Sequence, residues 1–135
     1  MKVSNAHAFH GSIGLKVDSA ATHGGRSMVT GKVVKRHLNV NNVVHGGVYA
    51  TILDTAMGWA VKTTCGENEI MATVSLYIEF IRAAKLGQTL VARGKITRRG
   101  HHIAFCQGKL TDENGILLAA AKGAWYISEI VPKKT

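Results

Sequence analysis

The stretch from Gly46 to Cys65 constrains this chain more than any other. Its apolar positions Tyr49, Ile52, Leu53, Ala56, Met57 and Ala60 recur at i, i+3, i+4, i+7, i+8 and i+11, which is one face of a helix. Asp54 and Lys62 are the only charged residues between Gly46 and Cys65. A helix so poor in charge is expected to be buried nearly all round. Asp54 would then be a costly buried carboxylate, and so a functional candidate. The opposite stripe, Gly47, Ala50, Thr51, Asp54 and Gly58, is small where a solvent face would carry Lys and Glu. It lies about 130° or more from the apolar stripe and suits a close-packed backbone or ligand. Two glycines directly ahead of the apolar run mark the helix start. Free N–H groups and the positive dipole end there favour a developing oxyanion.

The remaining segments are short. Residues 1–12 are polar and read as loose chain or a short helix. Residues 13–19 and 27–35 read as strands, with Gly24-Gly25 in the turn between them. After the break at Gly66-Glu67-Asn68 come four strand candidates, over residues 72–80, 90–98, 102–110 and 116–127. In the first, Val74, Leu76, Ile78 and Phe80 alternate with Thr73, Ser75, Tyr77 and Glu79, predicting one apolar face. Asn114-Gly115 is a good hairpin turn between the last two. Strands joined by short connections predict an antiparallel sheet. One long, nearly uncharged helix among them predicts an α+β domain with that sheet curled around the helix.

Composition narrows the function. A chain of 135 residues reads as one domain, 1–135, and 46% hydrophobic content with one proline argues against disorder. No run has transmembrane length, and Met1-Lys2-Val3-Ser4-Asn5-Ala6-His7 has no apolar signal core, so a cytoplasmic location is expected. Cys65 and Cys106 read as reduced, packed thiols. Seventeen basic residues against eight acidic give +9, a field that attracts anions. With only 6% aromatics and no basic stripe interleaved with them, a nucleic-acid surface is the weakest reading. Coenzyme A or an acidic carrier fits the charge better. His101-His102 are adjacent strand residues expected on opposite faces, and no metal or other cofactor is predicted.

The ordered set Asn39…His45-Gly46-Gly47…Asp54 resembles the hotdog-fold acyl-CoA thioesterases, in particular the PaaI-like branch of the 4-hydroxybenzoyl-CoA thioesterase superfamily. The likeness runs on through Phe80-Ile81-Arg82-Ala83-Ala84-Lys85-Leu86-Gly87, Arg98-Arg99-Gly100-His101 and Asp112-Glu113-Asn114-Gly115. It covers residues 38–127, and more loosely reaches back to Ile13. Asn42 stands where the family usually has glycine, and Ala83 where it often has proline. Asn tolerates left-handed backbone angles.

The resemblance implies a hotdog, the helix as sausage and the sheet as bun. Subunits would pair edge to edge as a homodimer, with a homotetramer expected as two dimers. It implies hydrolysis of an aromatic or short- to medium-chain acyl-CoA, with no nucleic-acid or membrane partner. Asp54 would be general base or nucleophile, the Gly46 N–H would polarise the carbonyl, and Thr73 would orient water or the carboxylate. Asn39 would bind water or the carbonyl, and His45 would hold the loop. Asn39 and Gly46 would act from one subunit, and Asp54 and Thr73 from the other. Gly47, Phe80, Arg82, Lys85, Arg98, Arg99, Gly100 and His101 would bind substrate, the cations meeting the CoA phosphates. The rival readings are a non-enzymatic acyl-CoA-binding module and a hotdog hydratase or dehydratase.

Overall fold

A computed structural model describes residues 8–131. Its elements are α1 (Phe9–Ser12), β1 (Lys16–Val17), β2 (Arg26–Lys32), α2 (Gly46–Lys62), β3 (Glu69–Phe80), β4 (Thr89–Arg99), β5 (Ile103–Thr111) and β6 (Leu117–Glu129), with a single 3-10 turn at Lys35–His37. The strands form one antiparallel sheet in the order β1-β2-β4-β5-β6-β3. The sheet curls around α2 as the hotdog expectation requires. The reading of residues 1–12 holds for α1, while residues 1–7 lie outside the described residues.

Size complementarity seats the helix. Tyr49, Ile52, Leu53, Met57 and Val61 of α2 are buried against Ala92, Ala104, Ala119 and Ala121 of the strands. At Gly94 the helix backbone comes so close that a Cβ would lie 2.6 Å from the Ala56 carbonyl oxygen. Only glycine fits there, and its register partner on β5 is Gly108. Thr51 and Thr55 turn their hydroxyls back onto the Gly47 and Thr51 carbonyls at 2.8 and 2.6 Å. The far side of α2 therefore needs no protein partner for those groups.

Three sequence expectations change. The strand expected over residues 13–19 is only Lys16–Val17. The helix stops at Lys62 rather than Cys65, because Thr63 and Thr64 bond back to the Ala60 and Val61 carbonyls and end it. The alternation read into β3 is broken by a bulge between Thr73 and Ser75. A bulge adds one residue, so the inward face passes from odd to even positions. Met71, Leu76 and Ile78 pack on the core, while Val74 is 61% and Phe80 58% exposed. No helix among the described residues is long and apolar enough to cross a membrane.

Candidate functional site

The loop before α2 is tied down by its own side chains. Asn39 Oδ1 accepts from the Asn41 N–H at 2.9 Å, and the Asn39 N–H donates to the Val43 carbonyl at 2.8 Å. Asn42 takes φ 59°, the one non-glycine residue with positive φ among those described, in line with its expected tolerance. His45 caps the helix, its Nδ1 accepting the Gly47 N–H at 2.7 Å. The Gly46 N–H has no acceptor among the described residues. A Cβ on Gly46 would lie 3.3 Å from the Phe80 ring, so that ring borders the free N–H. Phe80 in turn stacks on Tyr49, centroids 6.1 Å apart, and the Tyr49 hydroxyl donates to the Arg82 carbonyl at 2.9 Å. Further bonds fix the segment after β3 despite Ala83: the Ile81 and Arg82 N–H groups share the Leu118 carbonyl, Arg82 Nη1 reaches the Leu117 carbonyl, and the Val44 N–H reaches Ala84.

Asp54 lies on the far side of α2 and is half-buried rather than enclosed, because its stripe faces away from the sheet of its own chain. Its Oδ1 accepts a hydrogen bond from Thr73 Oγ1 at 2.9 Å. The β3 bulge makes that contact: strict alternation would have put Thr73 on the face opposite Leu76. Both residues line a cleft of about 430 Å³ with His10, Thr55, Gly58, Trp59, Lys62, Met71 and Trp125. Burial lowers the pKa of His10 at its rim. Sequence reasoning did not single out His10, Trp59, Met71 or Trp125. Period two could have put Trp125 on the inner face of β6, but its neighbours come from other elements.

The third group lies at the other end of α2. Arg99 is an internal tie: its Nη2 meets both Glu69 carboxylate oxygens at 3.1 and 3.2 Å, its Nε meets Thr64 Oγ1 at 3.2 Å, and its Nη1 meets the Gly100 carbonyl. Arg98, Lys85 and His101 are exposed. His101 and His102 are not strand neighbours on opposite faces. They sit in the β4–β5 turn with rings edge to face at 4.5 Å, because the strands stop at Arg99 and start again at Ile103.

Within one chain, then, the candidates fall into three places along a helix of 17 residues, about 25 Å. Asn39, His45, Gly46, Gly47, Phe80, Arg82 and Lys85 gather at its amino end. Asp54 and Thr73 face the cleft midway. Arg98, Arg99, Gly100 and His101 sit past its carboxyl end. Gly46 and Asp54 are eight residues apart, or about 12 Å along the axis.

A family model for the thioesterase superfamily matches residues 41–119. Human acyl-coenzyme A thioesterase 13 is 27% identical over 108 residues, 79% of this chain and 76% of that protein. A hypothetical thioesterase protein of Streptococcus pneumoniae TIGR4, solved with coenzyme A, superposes with TM-score 0.77 at 22% identity, over 87% of this chain and 91% of that one. The PaaI protein of the Escherichia coli phenylacetic acid degradation operon superposes with TM-score 0.80 at 21% identity, over 93% and 86%.

Proposed function

The chain belongs to the thioesterase superfamily, with the hotdog fold of the PaaI proteins, and from that premise we propose that it hydrolyses an acyl-CoA to the free acid and coenzyme A. The observation that carries the reading is the Asp54 carboxylate, oriented by Thr73 at 2.9 Å and facing a cleft. A carboxylate there can activate water or attack the thioester itself. The acceptor-free Gly46 N–H at a helix start supplies the other requirement, a donor for the carbonyl oxygen as it gains charge. The name of the human relative and the coenzyme A in the pneumococcal structure support CoA as the carrier.

Two groups about 12 Å apart on one helix cannot serve one carbonyl. The reading therefore takes Gly46 and Asn39 from one subunit and Asp54 and Thr73 from its partner, in a dimer joined at β3. The Asn39 oxygen is used by its own loop, which leaves its amide NH₂ for water or the carbonyl. Lys85 and Arg98 are the exposed cations that suit the CoA phosphates. Arg99 serves chiefly to hold Glu69 and the turn to Gly100. The +9 field would steer the anionic substrate in.

A screen over short, long and aromatic acyl-CoAs, with the freed thiol detected, tests the reading. Turnover of at least one of them is expected. Binding without turnover of any would replace the enzyme by an acyl-CoA-binding module.

A further inference from the structure

The outer face of the sheet, turned away from α2, carries a groove of about 510 Å³ across β2, β4 and β5. Four cations line it: Arg26 of β2, Arg93 and Lys95 of β4, and Lys109 of β5. Strand alternation puts them outside, since Ser27, Gly94 and Gly108 between them take the buried side.

Register makes the cluster tight. Arg26 lies directly across from Lys95, and Arg93 directly across from Lys109. Neighbouring strands are about 5 Å apart, and Arg93 and Lys95 are about 7 Å apart along β4. Like charges in directly opposed positions destabilise a sheet. Two such pairs side by side carry a cost that a bound anion would relieve. No carboxylate lines the groove among the described residues. The one ion pair among them joins Arg99 to Glu69, outside the groove. Asp18 borders it, its N–H donating to the Met28 carbonyl at 2.8 Å, but its Oδ1 accepts the Ala21 N–H at 3.1 Å and closes its own turn.

We propose that this groove is an anion site for a compact polyphosphate, a chain of two or three linked phosphates, separate from the cleft on the helix side of the sheet. Cations about 5–7 Å apart offer each phosphate of such a chain a partner, the arginines as forks and the lysines as point charges. A lone phosphate would reach only part of the cluster. No aromatic ring lines the groove, so nothing there stacks on a base. The phosphates are what is recognised, and inorganic triphosphate and a nucleoside triphosphate share that chemistry. A second copy of this face is the poorer occupant, since stacking the two would set cation against cation. The site does not depend on what the cleft hydrolyses.

The test is calorimetric titration of the full chain with inorganic triphosphate at physiological ionic strength, where exposed charges are screened beyond about 8 Å. The wild type should bind one triphosphate per chain, and monophosphate at least about tenfold more weakly. Arg93→Gln combined with Lys109→Gln should weaken triphosphate by at least about tenfold, the range of one or two charge-assisted hydrogen bonds. This double variant should melt no lower than the wild type, because it removes a like-charged pair. Lys85→Gln combined with Arg98→Gln removes equal charge at the cations proposed for CoA, and should leave the affinity within about twofold. Titration with ATP separates the sources: a gain of about tenfold over triphosphate assigns the nucleotide, and equal affinity assigns the phosphate chain alone. No saturable binding by the wild type overturns the proposal, as does triphosphate bound no better than monophosphate. Equal loss in both double variants also overturns it, leaving only the general +9 field. Loss confined to the Lys85 and Arg98 variant moves the anion to the CoA contacts, with the same result. A change of mass by light scattering in the Arg93 and Lys109 variant would mean that a second copy covers this face, and would overturn it as well.

Discussion

The sheet ends in two edges of opposite character. β1 is two residues long and begins with an exposed lysine. β3 is twelve residues long, and it exposes Ile70, Val74, Tyr77 and Phe80. Short length and a lysine are the usual ways of closing a sheet edge to other chains. β3 has neither lysine nor proline, and an edge of its length and apolarity invites pairing. The cleft with Asp54 and Thr73 lies beside this open edge, as does Phe80 at the Gly46 N–H. The difference teaches that the finished edge needs nothing more, while the open edge coincides with the site that the proposed function shares between two subunits.

The sharpest way to break the comparison is to remove the carboxylate beside the open edge. Asp54→Asn should fold as the wild type does and lose at least about 10²-fold in kcat, in line with general-base contributions. KM should change little. Thermal melts and kcat taken on one preparation separate this from a structural role, which would show lost stability and activity in proportion to the folded fraction.

A mixing experiment sharpens the same point. Gly46→Pro removes the N–H and keeps the helix start, since proline suits the first helical position and His45 already has ψ 138°, as a residue before proline prefers, though its ring also presses on Phe80, 3.3 Å from the new Cβ. Gly46→Pro and Asp54→Asn should each be inactive. Refolded together in equal amounts they should regain about a quarter of wild-type activity, because half the dimers then hold one intact shared site. No regain would mean that each chain makes its own site.

Charge at the edges tests the contrast directly. Val74→Lys on β3 should yield monomers by light scattering and lose activity with them. Lys16→Glu on β1 should leave both unchanged. Equal outcomes at the two edges would end the argument. A smaller effect is expected from Arg98→Ala, a KM rise of about two- to fivefold that fades with salt, as for an exposed ion pair. An unchanged KM at low salt would remove Arg98 from the CoA contacts.

Local patterns carried much of this into the sequence. The helix was legible because its apolar stripe and uncharged flank are periodic over 17 residues. Asp54 stood out because it breaks that pattern, and the ordered His45-Gly46-Gly47 and Asp54 set supported its family. The Thr73–Asp54 bond was not legible from alternation, which placed Thr73 outward. One bulge reversed its face, and no residue type at 73–75 announces a bulge. The Arg99–Glu69 tie and the place of Trp125 on the cleft were hidden for a related reason. Each joins residues distant in sequence, through turns whose geometry local propensity does not set.

The smallest expected effect concerns where the open edge begins. Glu69, the first residue of β3, has its carboxyl pKa lowered from the ordinary 4.5, first by the Gly66 N–H at 2.9 Å and then by Arg99. A carboxyl lowered in the folded state binds fewer protons there than in the unfolded chain at the same acid pH. Its contribution to stability is therefore fully present above about 4.5 and is lost as pH falls through the lower, folded value. Glu69→Gln should lower Tm by at most a few degrees at neutral pH, since the pair is only partly buried and water still screens it. That gap should hold constant down to about pH 5 and close below the range in which glutamate titrates. Arg99→Ala should reproduce part of it. A gap that persists undiminished in acid would mean that the amide shape of the variant, and not the lost charge, disturbs the start of β3.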